Sequence, residues 1–287
     1  MSRLYGAQSM VAPLRRVLVR TPDTAFGSAD PARWHYTATP DPDRARAEHA
    51  AFVALLERAG AEIIRHDAPL ADRADAIFVH DPVLVTDRGA ILLRMGKPLR
   101  RGEEEAVGAA LEAAGVPVLA RLSGAALAEG GDCLWLDERT LAVGLGFRTN
   151  TEGLRQIQAA LGAAVEVVPV QLPYDQGPVA CLHLMSLISL VAEDLAVVHS
   201  PLLPVPFWEL LRARGIRMVE VPPGEYAAMG TNVLALAPRR CLMLEGCPVT
   251  RARLEAAGCE VLTYRGEEIS RKAEGGPTCL TRPVLRG

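Results

Sequence analysis

The residues with chemical potential in this 287-residue sequence begin near its end. Cys279 stands in "GGPTCLTRP" (275–283), a glycine- and proline-rich turn. A cysteine kept for packing belongs inside a strand or helix, so a thiol in a turn points to use of its sulfur. A nucleophilic thiol needs a proton partner brought alongside by the fold. His183, in the apolar context "CLHLMSL", is a candidate, although an isolated histidine in a strand equally reads as a satisfied core residue. "EGGD" (Glu129 to Asp132) sets two carboxylates around two glycines, a backbone that needs positive φ or close approach, or else a plain acidic turn. Asp81 precedes Pro82 inside an apolar run, where an ionised carboxylate calls for a partner: an internal arginine or a cationic ligand. Asp75, six residues earlier, reads from composition as a helix or turn residue. Arg148 in "GLGFRTN" lies at the end of a hairpin, free to bind an anion. Arg100 and Arg101 in "LRRGEEE" precede a helix, where a solvated charge run is the simpler reading.

The elements that position these residues recur in a fixed order. "AIFVHDPVLV" and "GAILLRM" form a hairpin about Asp87-Arg88-Gly89, followed by helix "EEEAVGAALEAAG" and strand "VPVLARL". "CLWLDERTLAVGLG", "HLMSLISLVAEDLAVVHS" and "NVLALAPRRCLMLEG" repeat the hairpin, each followed by a helix and a strand. A fifth unit is completed only by pairing C-terminal "CLTRPVL" with N-terminal "RRVLVR", which leads to helix "DRARAEHAAFVALLERAG" and strand "AEIIRH". The expectation is an α/β fold: five hairpin–helix–strand units closed into a ring about a pseudo-fivefold axis, as one domain over 1–287. A doubly wound sheet would instead alternate single strands with helices. In the ring, the openings of the hairpins face the centre, bringing together Asp81, Glu129, Asp132, His183 and Cys279.

Composition narrows the function classes. Net charge is −3 with scattered basic residues, and aromatics are 5%, which argues against nucleic acid and anionic membranes. The most apolar stretch, 182–192, is too short to span a bilayer, and the N-terminus lacks a signal-peptide pattern, so a cytoplasmic protein is expected. The six cysteines (133, 181, 241, 247, 259, 279) show no CxxC or Cys/His spacing, which favours free thiols over a disulfide framework or metal site. "GLGFRTN" lacks the remaining glycine and the context of a dinucleotide loop. No cofactor and no metal are expected.

Taken together, "EGGD", the following "RTN", the "HLxS" pattern of "HLMS" and the terminal "TCLT" resemble the guanidine-modifying superfamily. Its members include arginine deiminases, glycine amidinotransferases and dimethylarginine dimethylaminohydrolases, and its fold is a five-bladed α/β propeller. The resemblance implies Cys279 as nucleophile and His183 as general acid/base. It implies Glu129 as the catalytic carboxylate that binds and orients a guanidinium, helped by Asp81. Arg100 and Arg148 would hold a substrate carboxylate, and Asp75 matches an aspartate near the substrate in the dimethylarginine enzymes. Met185 stands where deiminases have aspartate, and an apolar thioether there would accommodate N-methyl groups. His80 stands where the residue before Asp81 is usually Arg or Glu. The resemblance therefore implies hydrolysis of a guanidino amino acid, dimethylarginine first. Arginine deiminase or dihydrolase, amidinotransferase, and a non-catalytic guanidine-binding protein are the alternatives. A homodimer through the outer helices is compatible with the ring.

Overall fold

The computed structural model describes residues 3–178 and 181–287. Strand β1 (Leu14–Val19) leads through helix α1 (Pro42–Arg58) to β2 (Glu62–Arg65), which pairs parallel to it. The same step repeats four times, each time preceded by a hairpin. These units are β3 (Val83–Thr86), β4 (Gly89–Leu92), α2 (Glu103–Ala113), β5 (Val118–Arg121), then β6 (Cys133–Asp137), β7 (Thr140–Leu145), α3 (Thr151–Leu161), β8 (Glu166–Gln171). They continue with β9 (Ile188–Ala192), β10 (Leu195–Val198), α4 (Val205–Ala213), β11 (Arg217–Glu220), and β12 (Val233–Ala237), β13 (Arg240–Leu244), α5 (Pro248–Ala256), β14 (Glu260–Tyr264). Finally β15 (Arg282–Arg286) pairs antiparallel with β1, Leu14 opposite Arg286 and Leu18 opposite Arg282. The described residues form five three-stranded sheets, and the fifth joins strands from the two ends of the sequence. This is the pseudo-fivefold α/β propeller.

The local sequence explains the repeat. Each long helix is followed by a glycine at positive φ: Gly60 (97°), Gly115 (86°), Gly162 (74°), Gly215 (73°) and Gly258 (89°). A residue without Cβ makes that reversal without strain, which returns the chain to its own sheet. Asp41 caps α1 by accepting from the backbone N–H of Asp43 and Arg44, with Pro42 in the first turn. Pro169 and Pro283 lie in the outer strands β8 and β15, where a missing ladder donor is tolerated.

The five apolar clusters lie between blades rather than within them. On β3, Val83 and Val85 pack towards Leu18 and Val284 of the closing sheet, while Leu84 packs towards Trp135 and Val143 of the next. On β10, Leu195 and Val197 face one neighbour and Ala196 and Val198 the other. Successive strand side chains point to opposite faces, and here both faces are covered. The central strands therefore read as continuous apolar runs.

Two element boundaries differ from expectation, and both differences serve the centre of the ring. The run from Ala76 does not enter a strand: Ala74–Ile77 is a 3-10 turn, 78–82 is irregular, and β3 starts at Val83. Pro82 has no N–H for a ladder and restricts the residue before it. Cys279 does not begin a strand either. It sits in a turn, and β15 starts three residues later at Arg282.

Candidate active site

The turn that carries Cys279 is held by close approaches. A Cβ on Gly275 would come 2.1 Å from the Phe78 ring, and one on Gly276 2.4 Å from the Asn232 amide. Neither glycine has positive φ, so proximity rather than conformation requires them. Asn232 clamps the turn: its Oδ1 accepts the Thr278 N–H at 3.1 Å, and its Nδ2 donates to Cys279 Sγ at 3.3 Å. Asn232 was not foreseen from the sequence. It occupies the opening of the β12–β13 hairpin, the fourth equivalent of Asp81, Glu129 and His183, and the polar residue before "VLALA" was the available signal.

The two glycines of "EGGD" are likewise dictated by contact. A Cβ on Gly130 would lie 2.2 Å from the His80 carbonyl oxygen, and one on Gly131 2.4 Å from His183 Nδ1. The segment thus presses against the imidazole. His183 Nε2 is 2.7 Å from Glu129 Oε2, and the His183 N–H donates to Ser186 Oγ at 3.1 Å, which gives the serine of "HLMS" its role. Glu129 is fully buried; its Oε1 accepts the Lys97 N–H at 2.9 Å, and Arg148 Nη1 lies 3.4 Å from both oxygens. Thr149 donates to Asp132 Oδ2 at 2.6 Å and accepts the Glu129 N–H, while Asn150 caps α3 through the Gly153 N–H. Asp132 Oδ1 accepts the Leu184 N–H at 2.9 Å. "RTN" is therefore a brace for the acid–imidazole pair.

Electrostatics follows from this arrangement. Burial penalises the His183 cation, yet the Cys181 sulfur and the carboxylates of Asp81 and Asp132 outweigh it and raise its pKa well above the usual 6.5. Burial works against the Glu129 anion too, but the His183 hydrogen bond and charge dominate and hold it down at about 2. The pair is imidazolium–carboxylate at neutral pH. Burial, followed by the Asp81 charge, pushes the Cys279 thiol up to about 11, against the opposing Asn232 hydrogen bond and His183 charge. The resting thiol is thus protonated.

Asp81 and Arg100 form a second buried pair. Arg100 Nη1 donates to Asp81 Oδ2 at 2.6 Å, its Nη2 to the Phe78 carbonyl at 2.9 Å, and its Nε and Nη2 to Glu103. Gly131 N–H donates to Asp81 Oδ1 at 3.0 Å. Although burial opposes the anion, the imidazolium of His183 and the Arg100 guanidinium hold Asp81 well below the usual carboxylate range.

One cleft, with about 570 Å³ of empty space including its mouth, is lined by Cys279, His183, Asp81, Asp75, Arg100 and Arg148, among others. Six of the seven residues expected at the site meet there; Glu129 stands behind His183. Three expected side chains are engaged elsewhere. Glu129 has its oxygens engaged by His183, Lys97 and Arg148 and no place on the cleft wall. Arg100 is 3% exposed, and every one of its nitrogens donates to Asp81, Phe78 or Glu103. Met185 packs between blades with Leu134, Ile188 and Leu203, away from the cleft, because it lies within the short Leu184–Ser186 turn that faces the core. His80 also faces away: its Nδ1 meets the Thr281 carbonyl at 2.9 Å, and burial pushes its pKa to about 3. Cys181 was not singled out either. Its Sγ is 3.7 Å from His183 Nδ1 at the cleft wall. The side chains best placed to hold a metal ion are Glu129, Cys181 and His183, with ligand atoms within 4.8 Å of one another, though two of these are bonded to each other.

Comparison with known proteins decides the family. The model of eukaryotic N,N-dimethylarginine dimethylhydrolases matches residues 31–286. The chain belongs to the dimethylarginine dimethylhydrolase family. It is 34% identical over 235 residues to a dimethylarginine dimethylaminohydrolase of Streptomyces coelicolor, covering 80% of this chain and 82% of that one. A cysteine-to-serine variant of the Pseudomonas aeruginosa dimethylarginine dimethylaminohydrolase, complexed with citrulline, superposes with a TM-score of 0.78 at 25% identity, covering 96% of this chain and 100% of that chain. The N-terminal domain of a cyanobacterial arginine dihydrolase shares the fold, with a TM-score of 0.81 at 20% identity over 94% of this chain and 98% of that one. No helix among the described residues is long and apolar enough to cross a membrane.

Proposed function

We propose that this member of the dimethylarginine dimethylhydrolase family is a cysteine-dependent hydrolase that converts N,N-dimethylarginine and water to citrulline and dimethylamine. The observation that carries the reading is the convergence of Cys279, an imidazolium held by Glu129, and Asp81 on one cleft. A guanidinium carbon is a poor electrophile because three nitrogens share its charge. Asp81 supplies a carboxylate at the cleft wall for its N–H groups, and Arg148 supplies a cation for the substrate carboxylate.

The protonated resting thiol sets the order of events. Binding of the cationic substrate lowers the cost of the thiolate, and the thiol proton leaves to solvent. Sulfur attacks the guanidinium carbon to give a neutral tetrahedral adduct. His183 donates its proton to the dimethylamino nitrogen, the C–N bond breaks, and a cationic thiouronium remains on Cys279. The now neutral His183 takes a proton from water, whose oxygen attacks the same carbon. The C–S bond breaks, citrulline leaves with its extra proton passing to the dimethylamine, and the thiolate regains from solvent the proton it first lost, which restores the resting thiol beside the imidazolium. Glu129 stabilises the imidazolium at each end of the cycle.

Residues 1–287 act in this reading as one catalytic unit, working in the cytoplasm. The six cysteines are free in the structure, in keeping with a reducing compartment. Mass-spectrometric product analysis after separate incubation with dimethylarginine, with arginine, and with arginine plus glycine tests the reading. Citrulline plus dimethylamine is expected. Ammonia release from arginine alone would make it a deiminase, and a new guanidino compound an amidinotransferase.

A further inference from the structure

A buried ion pair in the cleft takes no part in the reaction just described. Lys97 Nζ donates to Asp75 Oδ2 at 2.6 Å and to the Trp34 carbonyl at 3.0 Å, and it stands 5.0 Å from the centroid of the Trp34 ring. The other oxygen of Asp75 accepts from Tyr36 Oη at 2.8 Å. Lys97, Asp75 and Trp34 all line the cleft, and the Lys97 and Asp75 side chains are only 11% and 8% exposed.

An amino-acid substrate brings an α-ammonium that needs an anion. The carboxylates on the cleft wall are Asp75, Asp81 and Glu274. Asp81 is paired with Arg100 and faces the guanidinium, and Glu274 is exposed at the mouth. Asp75 would be the buried partner, but Lys97 neutralises it one to one before a ligand arrives, whereas Asp81 shares its cation, Arg100, with Glu103. A substrate ammonium placed there meets a carboxylate already neutralised by another ammonium, and taking that place exchanges one charge-assisted hydrogen bond for an equivalent one. Discrimination against an analogue lacking a polar group arises when the site is left with an unpaired partner. Here none is left unpaired.

We propose that Lys97 is a specificity-determining residue: its ammonium fills the position of a substrate α-ammonium at Asp75, so the cleft accepts ω-guanidino carboxylic acids without an α-amino group about as readily as the amino acids. This rests on the hydrolase reading above and extends it to a wider substrate class.

The test compares N,N-dimethylarginine with the same molecule carrying hydrogen in place of the α-ammonium. In the native enzyme the two kcat/KM values are expected to agree within about threefold, since no group is orphaned by the analogue. In Lys97→Met, Asp75 is released, and the amino acid should gain a preference of about tenfold, carried mainly by its KM. Lys97→Gln, which keeps a neutral donor, should fall between and serves if the methionine variant does not fold. A native preference for the amino acid of a hundredfold, or an unchanged ratio in Lys97→Met and Lys97→Gln, would overturn the inference. Calorimetric binding of citrulline and 5-ureidopentanoate to Cys279→Ser gives the same ratio without turnover. If neither dimethylated compound is hydrolysed, the hydrolase reading fails while this binding ratio still decides the role of Lys97. Binding of citrulline alone, or of neither compound, refutes it.

Discussion

Glu129 is the most informative single position, because its substitution separates orienting the imidazole from gripping the substrate. In Glu129→Gln the 2.7 Å contact to His183 Nε2 survives in shape but loses its charge. A hydrogen bond to a charged group contributes about 1.5–3 kcal/mol and a neutral one about 0.5–1.5, a difference of about 1–2 kcal/mol. At about 1.4 kcal/mol per pH unit, the His183 pKa should fall by about one unit from its raised value. The stability change has a defined window. The lowered pKa of Glu129 contributes stability that is complete above its ordinary 4.5 and is lost as pH falls through about 2. The raised pKa of His183 contributes stability that is complete below 6.5 and is lost as pH rises through its folded value. Both are complete between pH 4.5 and 6.5, where Glu129→Gln should lower the melting temperature most. The assay is an NMR titration of imidazole nitrogens, with His183 assigned by its loss in His183→Ala, alongside thermal melts across pH. A native His183 that titrates near 6.5, or a pKa unmoved in Glu129→Gln, would refute the imidazolium–carboxylate pair.

Three further substitutions probe the surroundings of the pair. Asn232→Ala removes both the 3.3 Å contact to sulfur and the Thr278 clamp, and should lower kcat by about tenfold, as expected for one hydrogen bond to a charged sulfur; pre-steady-state kinetics should place the loss in the attack step. Gly131→Ala forces a Cβ to within 2.4 Å of the His183 ring, so turnover should collapse while circular dichroism stays native. Met185→Leu keeps volume inside an interblade core, should cost less than about 1.5 kcal/mol in urea unfolding, and should leave the ratio of dimethylarginine to arginine turnover unchanged.

The ring was legible because each blade repeats a local pattern: apolar hairpin, helix, terminal glycine, short strand. Closure through "RRVLVR" and "CLTRPVL" followed from counting units, since the first and last strands had no other partners. The polar openings of the hairpins marked Asp81, Glu129 and His183 for the same reason. The division of labour among them was not legible, because it depends on contacts between blades. Glu129 meets His183 across 54 residues of chain, and Lys97 meets Asp75 across 22. Arg100 looked like a free cation beside a charge run, yet the turn Pro98–Arg100 tucks it onto Glu103 and Asp81. Residue type placed these groups at the centre. Only the distances show which carboxylates are already spent on a neighbouring cation.

In the proposed reaction Cys279 carries the substrate carbon during turnover. Rapid acid quench of the native enzyme with dimethylarginine, followed by peptide mass spectrometry, tests it most directly. A thiouronium adduct is expected on the peptide containing Cys279 and not in Cys279→Ser, which should also release no dimethylamine. An adduct on Cys181 instead, or steady dimethylamine release by Cys279→Ser, would contradict it.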